Sequence, residues 1–324
     1  MAHELTIRED GYTEMAFVGE TPWHGLGQTL DKDADMATWK KAAGMDWDIL
    51  ASPVKFEIGD CNREIQDIEF PSQNVLYRSD NNMPLSIVSD KYKPVQPTEV
   101  LDFFDSLVKE AGFRLHTAGT LRGGKRLWAL AETGKFGEVC KGDGVGGFLL
   151  LSTSCDKTLA TTARFTTVRV VCNNTLTMAH SDAKTLVSVP HSTVFDHNKV
   201  KDQLGVASEA FGSFMEMAKH LQKQKMLSLE ADMFIKKLVA PLNQVKKEDY
   251  EIGKNRTYQA IWELFEGSAK GSNLVGHSKW AMLNAVTEYY DHHFPSRSTD
   301  SRLDKAWYGI GDRTKQRAVE LLLA

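Results

Sequence analysis

Two stretches, Gly147-Phe-Leu-Leu-Leu-Ser-Thr153 and Leu159-Ala-Thr-Thr-Ala-Arg-Phe-Thr-Thr-Val-Arg-Val-Val171, flank the bend Cys155-Asp156-Lys157 and decide the fold class. Both are rich in apolar and β-branched residues, and turn-forming residues separate them, so they read as paired strands. Upstream, Phe113 to Ala118 and Leu127 to Glu132 alternate in the same way around the turn Arg122-Gly123-Gly124-Lys125. Ile49 to Ile58 and Glu64 to Phe70 form another strand pair across Gly59-Asp60-Cys61-Asn62. Val75 to Arg78 and Leu85 to Val88 form a hairpin across Asp80-Asn81-Asn82. Between these blocks, Val100, Phe103, Phe104, Leu107, Val108 and Ala111 recur at helical spacing, with Thr98 as N-cap and Gly112 as the stop. Met36 to Ala43 reads as a short helix ending at Gly44.

From about Asn173 the texture turns helical. Lys201 to Lys223 places Leu204, Ala207, Phe211, Met215, Ala218 and Leu221 on one face. Ser228 caps a helix that runs to Ala240 before Pro241, and Thr257–Phe265, Ser278–Tyr290 and Asp312–Leu323 are further helices. Strands followed by helices predict an α+β fold: a mainly antiparallel sheet with packed helices, then a helical C-terminal half. The expected division is a mixed region over 1–190, with an acidic N-terminal part, and a mainly helical region over 191–324 that packs on the first as one unit.

The chain has 324 residues, 42% hydrophobic and 25% charged, an ordinary globular composition. No run approaches the roughly 18 apolar residues of a membrane helix, and Met1 to Asp10 lacks the apolar core of a signal peptide. The expected setting is therefore the cytoplasm, away from membranes. Cys61, Cys140, Cys155 and Cys172 are scattered without a CxxC pair, as reduced structural cysteines are. Residues 1–70 hold 15 acidic and 6 basic side chains, leaving 28 acidic and 33 basic in the remainder. A net charge of −4 argues against a generic basic nucleic-acid binder but leaves room for a local basic face.

Two phosphate-loop patterns fail on context. Gly119 to Gly124-Lys125 has Walker-like spacing, yet Arg126 stands where a hydroxyl should hold magnesium, and a strand follows where a helix is needed. Gly142-Asp-Gly144-Val-Gly-Gly147 leads into a strand instead of leaving one and reads as a flexible turn. His191, His197 and the group Asp291-His292-His293 lack zinc-ligand spacing, and capping or surface roles fit them better, although a metal at the last group stays open. No catalytic constellation, cofactor motif or nucleophile elbow is present, so the expectation is a non-enzymatic protein without cofactor.

Basic side chains on the sheet carry the remaining signal. Arg114, Arg122, Lys125 and Arg126 share one hairpin with Trp128, while Arg164 and Arg169 lie on the strand that ends in Asn173 and Asn174. Such cations can track a phosphate backbone while an aromatic stacks on bases. The alternative is a solvated sheet face with Trp128 in the core. The five-residue spacing sends Arg164 and Arg169 to opposite faces, so at least one points inward and needs a partner.

The segments Pro22-Trp23-His24-Gly25-Leu26-Gly27, Ala118 to Leu130, Thr167 to Leu176 and Trp280 to Tyr289 with Asp291 occur in that order. Together they resemble the phage/plasmid-like protein family, a group of unknown function carried by phages, prophages and plasmids, over about Trp23 to Ala318. The resemblance implies a mobile-element protein acting inside a bacterial host cell. The basic sheet packed on helices also resembles, in layout alone, the phage single-strand annealing recombinases. These readings give two expectations. One is a homo-oligomeric protein that binds single-stranded DNA in replication or recombination. The other is a protein-interaction module that counters a host defence or modulates a host enzyme, for which the acidic N-terminal part is suited.

Overall fold

The computed structural model describes residues 5–19, 25–59, 66–169, 171, 174–177, 186–194, 196, 198, 208–240, 255–295 and 305–324. Trp23, His24, Cys61, Cys172, Asn173, His197 and the start of the Lys201–Lys223 helix lie outside them.

In chain order the strands are β1 (Met15–Val18), β2 (Gln28–Leu30), β3 (Ile49–Ile58), β4 (Gln66–Arg78), β5 (Pro84–Ser89), β6 (Arg114–Leu121), β7 (Arg126–Glu138), β8 (Gly144–Ser154), β9 (Thr161–Arg169), β10 (Asn174–Thr177) and β11 (Leu186–Val189). The helices are α1 (Met36–Ala42), α2 (Pro97–Ala111), α3 (Ser208–Lys223), α4 (Ser228–Val239), α5 (Arg256–Glu263), α6 (Ser272–Val275), α7 (Lys279–Glu288) and α8 (Ile310–Leu323). The class is α+β, with helices mostly in the C-terminal half.

The large sheet runs β10-β9-β8-β7-β6-β1-β2, and β11 joins the same edge of β9 below β10. Its pairings are antiparallel except β1 with β2, a short parallel pair in a region that reads as loop from sequence. A separate sheet, β3-β4-β5, is antiparallel throughout.

Local signals set most boundaries. The Asp35 side chain accepts from Thr38 N at 2.7 Å and starts α1, and Gly44, at φ +66°, ends it. Helix α2 begins one residue ahead of the expected Thr98 cap. Pro97 takes its first position, and the Glu99 carboxylate accepts from Gln96 N at 2.7 Å. Ser228 is the first residue of α4, with Leu227 at the cap position instead. Ser278 caps α7 by accepting from Ala281 N, and a π-helical turn, Tyr289–His293, continues from that helix.

The central strands are buried on both faces. Leu127, Ala129, Leu149 and Leu151 face the main core, which runs unbroken from Ala16 through Phe103 and Phe104 of α2 to Leu322 of α8. Trp128, Leu130, Phe148 and Leu150 face a smaller core closed by Leu5, Ala306 and Trp307. Among the described residues no helix is long and apolar enough to cross a membrane.

Candidate interaction surface

The basic residues singled out from sequence do not form one exposed face. Arg169 is buried in a node between the sheet and the helical layer. Its Nε donates to Asp143 Oδ1 at 2.5 Å, Nη1 to the Lys270 carbonyl at 2.9 Å and Nη2 to the Gly271 carbonyl at 3.3 Å. Asp143, also fully buried, accepts from Trp280 Nε1 at 2.8 Å on its second oxygen. The Gly142–Gly147 segment, expected to be a flexible turn, is thus pinned through Asp143. The reason is electrostatic: a carboxylate without solvent needs donors on both oxygens.

Arg164 points to the opposite face, as its odd spacing from Arg169 requires. It donates to the Trp307 carbonyl, lies 3.3 Å from Asp312 Oδ2 and stacks on the Tyr308 ring with its centre 5.0 Å away. Arg126 covers the same ring at 5.3 Å and donates to Thr158 Oγ1 at 2.7 Å. Burial pushes the Tyr308 phenol up, against the pull of both guanidiniums. Trp128 is buried edge-on against Trp307, with centroids 5.2 Å apart. These four side chains are engaged inside the protein, and the reading of Trp128 as core is the one its position matches.

The rest are split. Arg122, at φ +56°, and Lys125 are half-buried at the β6–β7 turn, where Arg122 lies 4.0 Å from Asp156. The exposed Lys157 sits in the adjoining β8–β9 turn. Arg114 is exposed at the far end of β6, opposite Glu132. Asn174 pairs with Arg169 in the β9–β10 ladder. The Walker-like loop does lead into strand β7 and not into a helix.

Asp291 is buried and accepts from Lys315 Nζ at 2.7 Å, while His293 lies 3.7 Å from the buried Glu288. Among the described residues, no three His, Cys, Asp or Glu side chains are placed to hold a metal. A cavity lined by Val145, Arg169, Leu176, Trp280, Asn284 and Thr287 measures about 10 Å³. That is room for one water and no organic substrate.

The surface that sequence reading missed is the distal part of the β3–β4 pair. Beyond Pro53 the register breaks: Val54 stands opposite Phe70 to Gln73, and Ser72 takes φ +59°. The two strands then continue as a ribbon through Lys55↔Glu69, Phe56↔Ile68, Glu57↔Asp67 and Ile58↔Gln66. Strand β5 pairs only with Gln73 to Tyr77, so neither edge of the ribbon is paired by a described strand. Alternation sorts its faces. One carries Phe56, Ile58, Ile68 and Phe70, which are 46%, 46%, 37% and 50% exposed. The other carries Lys55 against three carboxylates, Glu57, Asp67 and Glu69. The alternation is visible in the sequence, but it signals a half-buried strand, and here both faces are open.

Fold and surface together define an α+β protein with a sheet covered on both sides and a projecting amphipathic ribbon. A family model described as a domain of unknown function, DUF932, matches residues 84–307, and the chain belongs to that family. The ribbon precedes the matched segment. No curated protein and no solved structure matches the chain.

Proposed function

We propose that this is a non-enzymatic protein-interaction module of a phage or other mobile element, and that the β3–β4 ribbon is its contact surface. The carrying observation is the apolar face of Phe56, Ile58, Ile68 and Phe70, exposed on a ribbon whose edges no described strand pairs. Contiguous apolar surface rimmed by charge marks association sites, and unpaired strand edges template pairing with another chain. The mobile-element setting is supported by the motif resemblance described above. The test is affinity purification from a bacterial host, comparing the wild type with Phe56→Glu/Phe70→Glu. The module reading expects a bound protein that the variant loses while both melt at the same temperature; identical bound sets would overturn it.

A second reading, binding of single-stranded DNA, keeps support from the adjoining turns that bear Arg122, Lys125 and Lys157. Gly123 and Gly124, at φ +71° and +93°, shape the turn that presents these cations and pack against Met83 and Trp47. Replacing Arg122 and Lys125 by Ala should then weaken DNA binding and lower the salt slope by about two. An unchanged affinity in fluorescence anisotropy excludes these turns as the site. Arg126 is left out of that variant because it is buried on Tyr308.

A further inference from the structure

We infer that the open edge of β3 pairs antiparallel with the β3 edge of a second copy of this chain, in a two-fold register centred on Phe56. The inference rests on the reading of the ribbon as a contact surface and names one partner of it. Hydrogen bonds at the base of the strand show which backbone groups face outward. Ser79 N donates to the Asp48 carbonyl at 2.9 Å, so even-numbered positions turn their backbone toward β4. Ile49 turns the other way: its N–H donates to Gln96 Oε1 at 2.7 Å, and its carbonyl accepts from Gln96 Nε2 at 3.2 Å. The Gln96 amide thus takes the place of a neighbouring strand at Ile49, and no described strand takes that place farther along. By alternation Ala51, Pro53, Lys55 and Glu57 face the same edge. Pro53 fits this phase, because a residue without an N–H is tolerated where the N–H would point away from the ladder. The extra residues of the bulge lie in β4, so the phase of β3 runs on past it. Lys55, Phe56, Glu57 and Ile58 are exposed and Val54 is half-buried.

The side chains decide what this edge accepts. Val54-Lys55-Phe56-Glu57-Ile58 is complementary to itself read in the opposite direction. Antiparallel pairing centred on Phe56 sets Lys55 against Glu57 of the second copy, Glu57 against its Lys55, Val54 against its Ile58 and Phe56 against its Phe56. Lys55 and Glu57 both carry outward backbone groups, so each such pair exchanges N–H···O bonds in both directions. Phe56 then falls at the close, non-hydrogen-bonded position. Backbone phase and side-chain chemistry agree on this register. Centring on Lys55 would oppose two lysines, and centring on Glu57 two carboxylates, which destabilises either slip. Within one ribbon Glu57 stands opposite Asp67, a like-charge pair. The second copy brings its Lys55 to the other side of Glu57, on the same face. Each Lys55 then lies between Glu69 of its own ribbon and Glu57 of the other, while Asp67 and Glu69 stay one strand back from the seam. Because the same patch serves both copies, the contact is isologous and closes as a dimer. So short a seam falls below the roughly 1,200 Å² of stable interfaces, and the dimer is weak and concentration-dependent. Phe56, Ile58, Ile68 and Phe70 line one face of the joined sheet, which stays available to a further partner.

The experiment is sedimentation velocity on the full chain over a concentration series, with Lys55→Glu, Glu57→Lys and the double exchange Lys55→Glu/Glu57→Lys. Both side chains are exposed, and unchanged circular dichroism and melting temperature verify folding. The wild type should pass from monomer to dimer and no further. Each single exchange opposes like charges at both ends of the seam and should weaken dimerisation at least about tenfold. An equimolar mixture of the two single variants should dimerise as the wild type does, and the double exchange should restore the homodimer, because opposite charges then face each other again. Single variants that dimerise as the wild type does overturn the β3 seam. Single variants that weaken without rescue by the mixture or the double exchange overturn the register, and species growing beyond the dimer overturn the closed, two-fold contact. A monomeric wild type that still retains a host protein through Phe56 and Phe70 overturns the second-copy inference and leaves the module reading standing. A monomeric wild type whose Phe56→Glu/Phe70→Glu variant loses nothing in the host overturns both.

Discussion

Glu14 shows what one residue contributes in this protein. It is buried, stands just before β1, and accepts four hydrogen bonds: from Arg8 Nε at 2.9 Å, from Arg78 at 2.7 and 3.0 Å, and from Thr120 Oγ1 at 2.5 Å. Arg78, equally buried, stacks over Trp47 at 4.2 Å, donates from Nε and Nη2 to Asp80, and donates from Nη1 to the Gly123 carbonyl at 3.4 Å. The pair ties the small sheet to the large one. Burial alone would raise the Asp80 carboxyl, but the hydrogen bonds and charge of Arg78 outweigh it and hold that group below its ordinary value. A depressed folded value means stability that is present above the unfolded value and lost as pH falls through the folded one. Asp80→Asn should therefore be less stable than the wild type at neutral pH, by about 1 kcal/mol for a partly exposed partner. The difference should begin to shrink below about pH 4 and close only as pH falls through the lower folded value. Urea unfolding in steps from pH 7 down to about pH 2 measures it, and a gap that does not shrink as the pH falls below about 4 would contradict the assignment.

At the scale of elements, the turns carry the constraints. Gly44 ends α1 at φ +66°, and a Cβ there would stand 2.4 Å from Glu14 Cγ. Gly44→Ala thus combines a left-handed conformation, costing about 1 kcal/mol, with displacement of the carboxylate that Arg78 needs. The expected loss is roughly 2–4 kcal/mol. A melting temperature within a degree of the wild type would show that Glu14 is free to move. The β3–β4 ribbon is the opposite case. Past its bulge it adds apolar surface without burying it, so its side chains can change without cost to the fold.

Across the whole molecule, the Asp143–Arg169–Trp280 node joins the sheet to the helical layer. Arg169→Ala would leave Asp143 buried without its cation, a loss of about 3–5 kcal/mol. Melting should fall by several degrees, followed by far-ultraviolet circular dichroism and by the fluorescence of Trp280 and its neighbours. An unchanged melting temperature would place Arg169 outside the framework. Both halves of the chain share one hydrophobic core, so the two probes should move together.

Much of the local structure was legible in the sequence. The ends of α1 and α2 at Gly44 and Gly112 and the hairpin bends follow from residues a few positions apart, whereas the expected caps Thr98 and Ser228 each lie inside their helix. The α+β class follows from strand-period segments preceding helix-period ones. The odd spacing of Arg164 and Arg169 also fixed their opposite directions. Periodicity states which side chains share a face, but not what lies against that face. Trp307 and Tyr308, about 180 residues downstream of Trp128 and Arg126, turned an apparent basic surface into an interior. At the ribbon, the same alternation that buries Trp128 and Leu130 leaves Phe56 and Phe70 bare. Whether an apolar stripe meets a neighbour depends on contacts distant in sequence, and only the tertiary structure decides them.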